Sequence, residues 1–207
     1  MAADLDPDAV LMLRVKRGDR AAFEALVEKY KQPIVNLMGR MLGDPVEAED
    51  LTQGVFVQVF RSAHRYRDSA RFSTWLYTIA RNLCLNELRR RSRHPAESLD
   101  ATYADDASQP LHPIADSRAL SPPDRLLQQE LEQKIQEALE ALPPNQRLAV
   151  LLCRQEDVSY EEIARILDCS LSATKSLIHR GRETLKQRLK PYLRTGQWQD
   201  SRGGQQL

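Results

Sequence analysis

Residues 159–185, SYEEIARILDCSLSATKSLIHRGRETL, decide the fold. They read as a short helix over residues 160–167 with a small residue, Ala164, where two helices can cross closely. A four-residue turn, Asp168-Cys169-Ser170-Leu171, leads into a longer cationic helix. On a helix advancing about 100° per residue, Leu171, Thr174, Ile178, Gly181 and Leu185 project to one side. Ser172, Lys175, Ser176, His179 and Lys186 project to the other. This is the layout of a helix-turn-helix, and the outer set holds the chemistry a major-groove helix needs. Lysines donate to guanine O6/N7 or to phosphate, and hydroxyls donate or accept. Ser170 fits the N-cap, which leaves helix N-terminal amides near a phosphate. Helix pairs of this shape also occur as plain structure, so the pattern alone names no ligand.

Working outward, the prolines divide the chain. Five of the eleven (Pro95, Pro110, Pro113, Pro122, Pro123) fall in residues 95–123, PAESLDATYADDASQPLHPIADSRALSPP, a stretch poor in apolar periodicity. It reads as an extended, flexible acidic linker. Strand signals are nearly absent, so the expected fold class is all-α: two small helical-bundle domains, 1–94 and 124–195, joined by the 95–123 linker, with a disordered tail at 196–207. In the first domain Phe23, Leu26, Val27 and Tyr30 recur at helical spacing in AAFEALVEKY. IVNLMGRML follows, then a turn at Gly43-Asp44-Pro45, an acid-led helix VEAEDLTQGVFVQVFRSA, a loop at 66–70 and a helix over about 71–91. The second domain opens with RLLQQELEQKIQEALEAL, breaks at Pro143-Pro144 and resumes as NQRLAVLLCR before the helix-turn-helix.

The 207 residues carry 30 Lys+Arg against 29 Asp+Glu, a formal charge of +1, yet the charge is far from evenly spread. Residues 61–95 hold nine Arg against Asp68 and Glu87, a net +7. Residues 171–190 hold six Lys and Arg against Glu183, a net +5, whereas 96–124 hold six acids and only Arg118, a net −5. Two concentrated cationic helices suit a polyanion, because phosphate neutralisation is the usual source of such binding. A charge run is also how a solvated helix face looks. On the 71–91 helix, though, Phe72, Trp75, Leu76, Ile79 and Leu83 form one stripe, with Thr74, Thr78, Arg81, Asn82 and Arg89 roughly opposite and no acid on that face. Trp75 and Phe72 read as core, leaving Tyr66 in the preceding loop and Tyr77 off the stripe free to meet a base.

Other classes are excluded by what the sequence lacks. Mean hydropathy is −0.53, and no apolar run approaches the ~20 residues of a spanning helix. The opening MAADLDPDAVLML carries acids where a signal peptide carries positive charge, so a cytoplasmic location is expected. Cys84, Cys153 and Cys169 make no CxxC and no cysteine–histidine cluster, and read as reduced buried thiols rather than metal ligands or a disulfide framework. No phosphate-cradling glycine loop, nucleophile elbow or H-E-x-x-H helix is present, so no enzymatic activity, metal or cofactor is expected.

Four segments carry a family resemblance: DLTQGVFVQVF (50–60), FSTWLYTIARNLCLNELRRR (72–91), LPPNQRLAVLL (142–152) and residues 159–185. In this order, over nearly all of residues 8–194, they resemble bacterial RNA polymerase sigma factors of the extracytoplasmic-function (ECF) group in the sigma-70 family. The resemblance implies a non-enzymatic initiation factor. Its first domain would bind core polymerase and recognise and melt the promoter −10 element, and its second would read the −35 element. The implied partners are core RNA polymerase (β′ clamp and β flap), promoter DNA and an anti-sigma factor, with no small-molecule substrate. Asp50, Gln53, Gly54 and Val57, on the face away from Leu51, Val55 and Val59, correspond to the helix that docks on the β′ clamp.

The implied −10 set is Tyr66, Arg67, Asp68, Ser69, Phe72, Thr78, Arg81, Asn82 and Arg89. The loop from Tyr66 matches the one that cradles a flipped base, and Asn82 matches a position lining that pocket. Capture of an unstacked base offsets part of the few-kcal/mol unstacking cost, so melting needs no ATP. The implied −35 set is Ser172, Lys175, Ser176, His179, Arg180 and Arg182. The acidic linker suits a polymerase channel built for RNA. Three positions depart from the family: Gly54 stands where Glu is usual, Asp168 where the turn has Gly, and Leu177 where Arg is common. The rival readings are a free-standing helix-turn-helix regulator and a helical adaptor for acidic partners. Neither needs the 50–60 helix together with the loop and basic helix after it.

Overall fold

The computed structural model describes residues 6–68, 70–93, 122–155 and 158–195. The linker residues 94–121 and the tail residues 196–207 lie outside the described residues, as does Ser69. Among the described residues there are helices and no strand: α1 (Pro7–Lys16), α2 (Arg20–Leu42), α3 (Pro45–Ser62), a 3-10 turn (Ala63–Arg65), α4 (Phe72–Arg93), α5 (Pro122–Glu140), α6 (Pro144–Leu152), α7 (Tyr160–Leu167) and α8 (Leu171–Thr195). The chain is all-α, as its periodicity predicts.

Local sequence fixes most of the ends. Asp6, Asp19 and Asp44 each accept a hydrogen bond from a backbone N–H of the first turn that follows, and α1 and α3 start on Pro7 and Pro45, where a missing N–H costs nothing. Gly43 ends α2 with φ +74°, a conformation open to glycine at little cost. Ser159 and Glu162 form a reciprocal capping box on α7. Three boundaries differ from the sequence reading. The first is α1, which was not foreseen. Next, α2 is one helix through Pro33 rather than two segments. Finally, α5 begins at Pro122, inside the stretch read as linker, because proline is tolerated in a first helical turn.

In the first half, α2 is the central helix against which α1, α3 and α4 pack. In the second, α6 and α7 pack against α8. The halves meet along α4 with α7 and along α2 with α5 and α6, and one contiguous buried cluster runs from Met12, Leu26, Ile34 and Leu76 to Leu148, Leu152, Ile163 and Ile178. Polar contacts pin this junction. The buried Arg147 guanidinium of α6 donates to the carbonyls of Met41 and Glu140, which closes the C-terminal end of α2 against the α5–α6 turn. Glu162 accepts from the Thr74 hydroxyl at 3.5 Å and pairs with Arg71, also at 3.5 Å, and the Tyr77 hydroxyl donates to Gln155 Oε1 at 3.4 Å.

Candidate nucleic-acid and protein interfaces

The helix-turn-helix forms as its sequence predicts. Asp168 takes φ +53°, the left-handed region that aspartate enters at lower cost than most residues, so the turn survives without the usual glycine. The amide of Cys169 closes the turn on the Ala164 carbonyl at 3.0 Å. Ser170 Oγ accepts from Ala173 N at 3.2 Å, capping α8. Thr174, Ile178 and Gly181 are buried against α6 and α7. A Cβ on Gly181 would stand 2.6 Å from Val150 Cγ2, so α8 crosses α6 closely enough to require glycine.

On the other side, Ser172, Lys175, Ser176 and His179 are exposed and line one shallow concavity with Leu171. Arg180 is exposed as well. Arg182 is turned elsewhere, donating to Cys153 Sγ at 3.0 Å along the α6 side, so it does not share the surface of the other five −35 candidates. Leu177 is half-buried and packs against the core.

The loop before α4 differs from its sequence reading. Tyr66 is only 1 % exposed and lies edge-on to Trp75, with ring centroids 5.0 Å apart, and beside Phe72 at 6.3 Å. Burial pushes its hydroxyl up to about 12, and among the described residues that hydroxyl has no hydrogen-bond partner. Phe72 is fully buried, edge-on to Tyr30 at 5.4 Å. Tyr77 is 3 % exposed and Thr74 is buried under Glu162. The expectation that Tyr66 and Tyr77 stand free is therefore corrected, and Phe72 offers no surface to a ligand. The cause is packing by distant elements: aromatic partners draw Tyr66 and Phe72 inward, Glu162 of α7 covers Thr74, and Gln155, just after α6, takes the Tyr77 hydroxyl.

Arg67, Asp68, Asn82 and Arg89 are exposed, while Thr78 and Arg81 are half-buried. Thr78 Oγ1 donates to the Thr74 carbonyl at 2.7 Å, Arg81 reaches Asn82 Oδ1 at 3.5 Å, and Arg89 donates to Asn86 at 2.9 Å. Arg90 and Arg91 bond instead to Glu87 and Glu47, and Arg91 also donates to the Leu42 carbonyl. They tie α4 to α2 and α3.

On α3, Ala48, Thr52, Val55, Phe56 and Val59 are buried, and Asp50, Gln53 and Val57 face outward with Gly54 half-buried beside them. The outward stripe is wider than sequence reasoning found, since Val46 (72 %) and Phe60 (55 %) also stand exposed, Phe60 leaning on Phe23 with centroids 5.2 Å apart. Their offsets of four and three residues from Asp50 and Val57 were the available signal. A Cβ at Gly54 would meet only Leu83 Cδ1, at 4.0 Å, so packing does not demand glycine there. Cys84 is buried and its thiol is pushed up to about 12 by burial, which makes it inert near neutral pH. Among the described residues no three His, Cys, Asp or Glu converge as metal ligands, and no helix is long and apolar enough to cross a membrane.

An exposed hydroxyl- and lysine-bearing helix, joined in one chain to a basic helix and an outward apolar stripe, makes this an all-α helix-turn-helix protein with further exposed surfaces beyond that motif. Comparison with known proteins gives the family. Sigma-70 region 2 matches residues 26–94, and sigma-70 region 4 matches residues 132–185. The chain is 37% identical over 191 residues to the RNA polymerase sigma-H factor of Pseudomonas aeruginosa, covering 91% of this chain and 97% of that protein. It is 34% identical over 190 residues to the ECF RNA polymerase sigma-E factor of Escherichia coli K12, covering 90% and 96%. Among solved structures, RpoE of Bartonella quintana, in complex with the anti-sigma factor NepR, superposes with a TM-score of 0.61 at 25% identity, over 81% of this chain and 96% of that one. CnrH, in complex with the cytosolic domain of CnrY, shares the fold with a TM-score of 0.63 at 20% identity, over 90% and 99%. The chain belongs to the sigma-70 family of RNA polymerase sigma factors, in its ECF group.

Proposed function

We propose that three surfaces divide the work of initiation. The α3 stripe of Asp50, Gln53, Gly54 and Val57, widened by Val46 and Phe60, docks on the β′ clamp of core polymerase. The loop from Tyr66 through Arg67, Asp68 and Ser69, with Thr78, Arg81, Asn82 and Arg89 of α4, receives the −10 strand. Ser172, Lys175, Ser176, His179 and Arg180 of α8 enter the −35 major groove. The observation that carries this reading is the coexistence in one chain of that exposed α8 face with an exposed apolar stripe on α3. A simple repressor needs the first and has no use for the second.

Reading the −10 strand requires local rearrangement. Tyr66 must swing out of its aromatic niche, and its unpartnered hydroxyl makes that niche less favourable to keep than a fully satisfied one. The α4–α7 contact over Thr74 must part if the strand reaches that far. Opening then proceeds by capture of an unstacked base, with no ATP and no catalytic group. The setting is the cytoplasm, where core polymerase works. An anti-sigma factor is a further partner, supported by the NepR-bound relative. The groove between α2, α5, α6 and α8, with apolar walls at Leu37, Ile135 and Leu185 and Arg40, Arg154 and Arg182 beside them, suits an acidic amphipathic segment.

Purified chain added to core polymerase is expected to give promoter-specific run-off transcripts without ATP hydrolysis for opening. Sequence-specific duplex binding by the chain alone, with no stable core complex, would defeat the reading in favour of a free-standing regulator. Asn82→Ala is expected to slow opening about tenfold, the loss of one edge hydrogen bond to a captured base, while closed-complex formation is retained. Permanganate reactivity of −10 thymines measures the first and filter binding the second. Equal losses in both would show that Asn82 acts before melting.

A further inference from the structure

Helix α1 lies outside the segment that matches region 2, which begins at residue 26, and none of the proposed contacts uses it. Its two ends nevertheless bond to the two ends of the loop at 66–71. The Asp6 carboxylate has two partners. Oδ1 accepts from Asp8 N at 3.1 Å and caps α1, while Oδ2 accepts from Phe72 N at 2.8 Å, across 66 residues of sequence. Phe72 is the first residue of α4, so one side chain caps two helices and places its negative charge at the positive end of α4. At the other end, Lys16 Nζ donates to the Tyr66 carbonyl at 2.9 Å.

The helix between these contacts is 10 residues long, about 15 Å at the α-helical rise, and is itself held fast. Buried Asp8 accepts from the Tyr30 hydroxyl at 2.5 Å and from Lys29 Nζ at 2.6 Å, and Met12 is fully buried. The loop is therefore clamped where it leaves the 3-10 turn and again where it enters α4. Between the clamps Arg67 and Asp68 face solvent.

We infer that α1 is a splint for the base-capturing loop and that Asp6 and Lys16 are positioning residues for promoter opening. This inference rests on the reading that the loop and α4 receive the −10 strand. Neither residue touches DNA. They act by fixing the loop ends, so that less conformational freedom remains to be lost when a base is captured.

The test uses holoenzyme carrying Asp6→Ala, Lys16→Met, Lys16→Arg or Asn82→Ala. Three quantities are measured: opening rate, preference of the holoenzyme for a consensus over a substituted −10 single strand, and affinity for core. Lys16 is exposed, so its variants leave the core of the chain untouched. Asp6→Ala and Lys16→Met are expected to slow opening about five- to tenfold, the scale of a lost cap or charged hydrogen bond, and to reduce −10 preference by a similar factor. Core affinity should stay within about twofold, and Lys16→Arg should restore opening by restoring the donor. Wild-type opening in Asp6→Ala and Lys16→Met, with Asn82→Ala slowed, overturns the splint and leaves the −10 reading standing. Wild-type opening in all of them overturns the −10 reading itself. Loss of core affinity in parallel with opening, without rescue by Lys16→Arg, makes α1 a general scaffold element and also overturns the inference.

Discussion

Phe72→Ala is expected to destabilise the chain by about 3–5 kcal/mol, the range for truncating a fully buried phenylalanine, and to abolish promoter opening. The ring lies where Tyr30, Tyr66 and Trp75 meet, with centroids at 5.4, 6.3 and 6.1 Å. Its removal leaves a cavity that three other aromatic rings cannot close without leaving their own rotamers. Because Phe72 is also the residue whose amide Asp6 caps, collapse of the niche displaces the start of α4 and with it the loop. Chemical denaturation measures the stability and permanganate reactivity the opening. Phe72→Leu retains most of the volume and should cost under about 1.5 kcal/mol, with opening slowed rather than lost. A cost below about 1 kcal/mol for the alanine variant would mean that the ring is not the keystone of this cluster.

Lys175→Ala is expected to lower transcription from −35-dependent promoters about ten- to hundredfold, the value of one good base or phosphate contact, with core affinity unchanged. Lys175 stands in the exposed concavity between Ser172, Ser176 and His179, clear of the buried face that holds α8 on α6. Salt dependence separates the two kinds of contact. If the ammonium meets phosphate, the loss is uniform across −35 sequences and the slope of log affinity against log salt falls by about one; if it reads guanine, discrimination at one base pair relaxes instead. Run-off transcription from templates with consensus and scrambled −35 elements makes the measurement. Wild-type transcription from the consensus template, with an unchanged salt slope, would remove Lys175 from the −35 surface.

The helix-turn-helix was legible because its signals are local. Ser159 and Glu162 lie three residues apart, Ser170 stands directly before its helix, and the apolar and polar faces of α8 separate at helical spacing. The α3 stripe was legible for the same reason, although Phe60 escaped because an aromatic residue beside Val59 reads as core until Phe23 is seen to hold it at the surface. The surface proposed to receive the −10 strand was legible only in part. Whether Tyr66 faces inward depends on Trp75 and Phe72, and whether Thr74 is covered depends on Glu162, 88 residues further along. Helix α1 escaped because PDAVLMLRVK packs apolar residues side by side with little helical phase, and what gives it purpose is a bond to Phe72. Nothing local in PNQR marks Arg147 as buried, since the carbonyls that hold it come from Met41 and Glu140 in two other segments of the chain.

Arg147 and the apolar cluster around it have a thermodynamic consequence. Since Met41, Leu148, Ile163 and Leu76 belong to one continuous interior, the isolated chain in this conformation should melt in a single calorimetric transition rather than two. Separating its halves exposes apolar area to water, so spreading them onto a polymerase should carry a positive heat-capacity contribution, opposite in sign to that of the new interface. The net heat capacity of assembly with core is therefore expected to be less negative than the new interface alone would give, and calorimetry at several temperatures measures it.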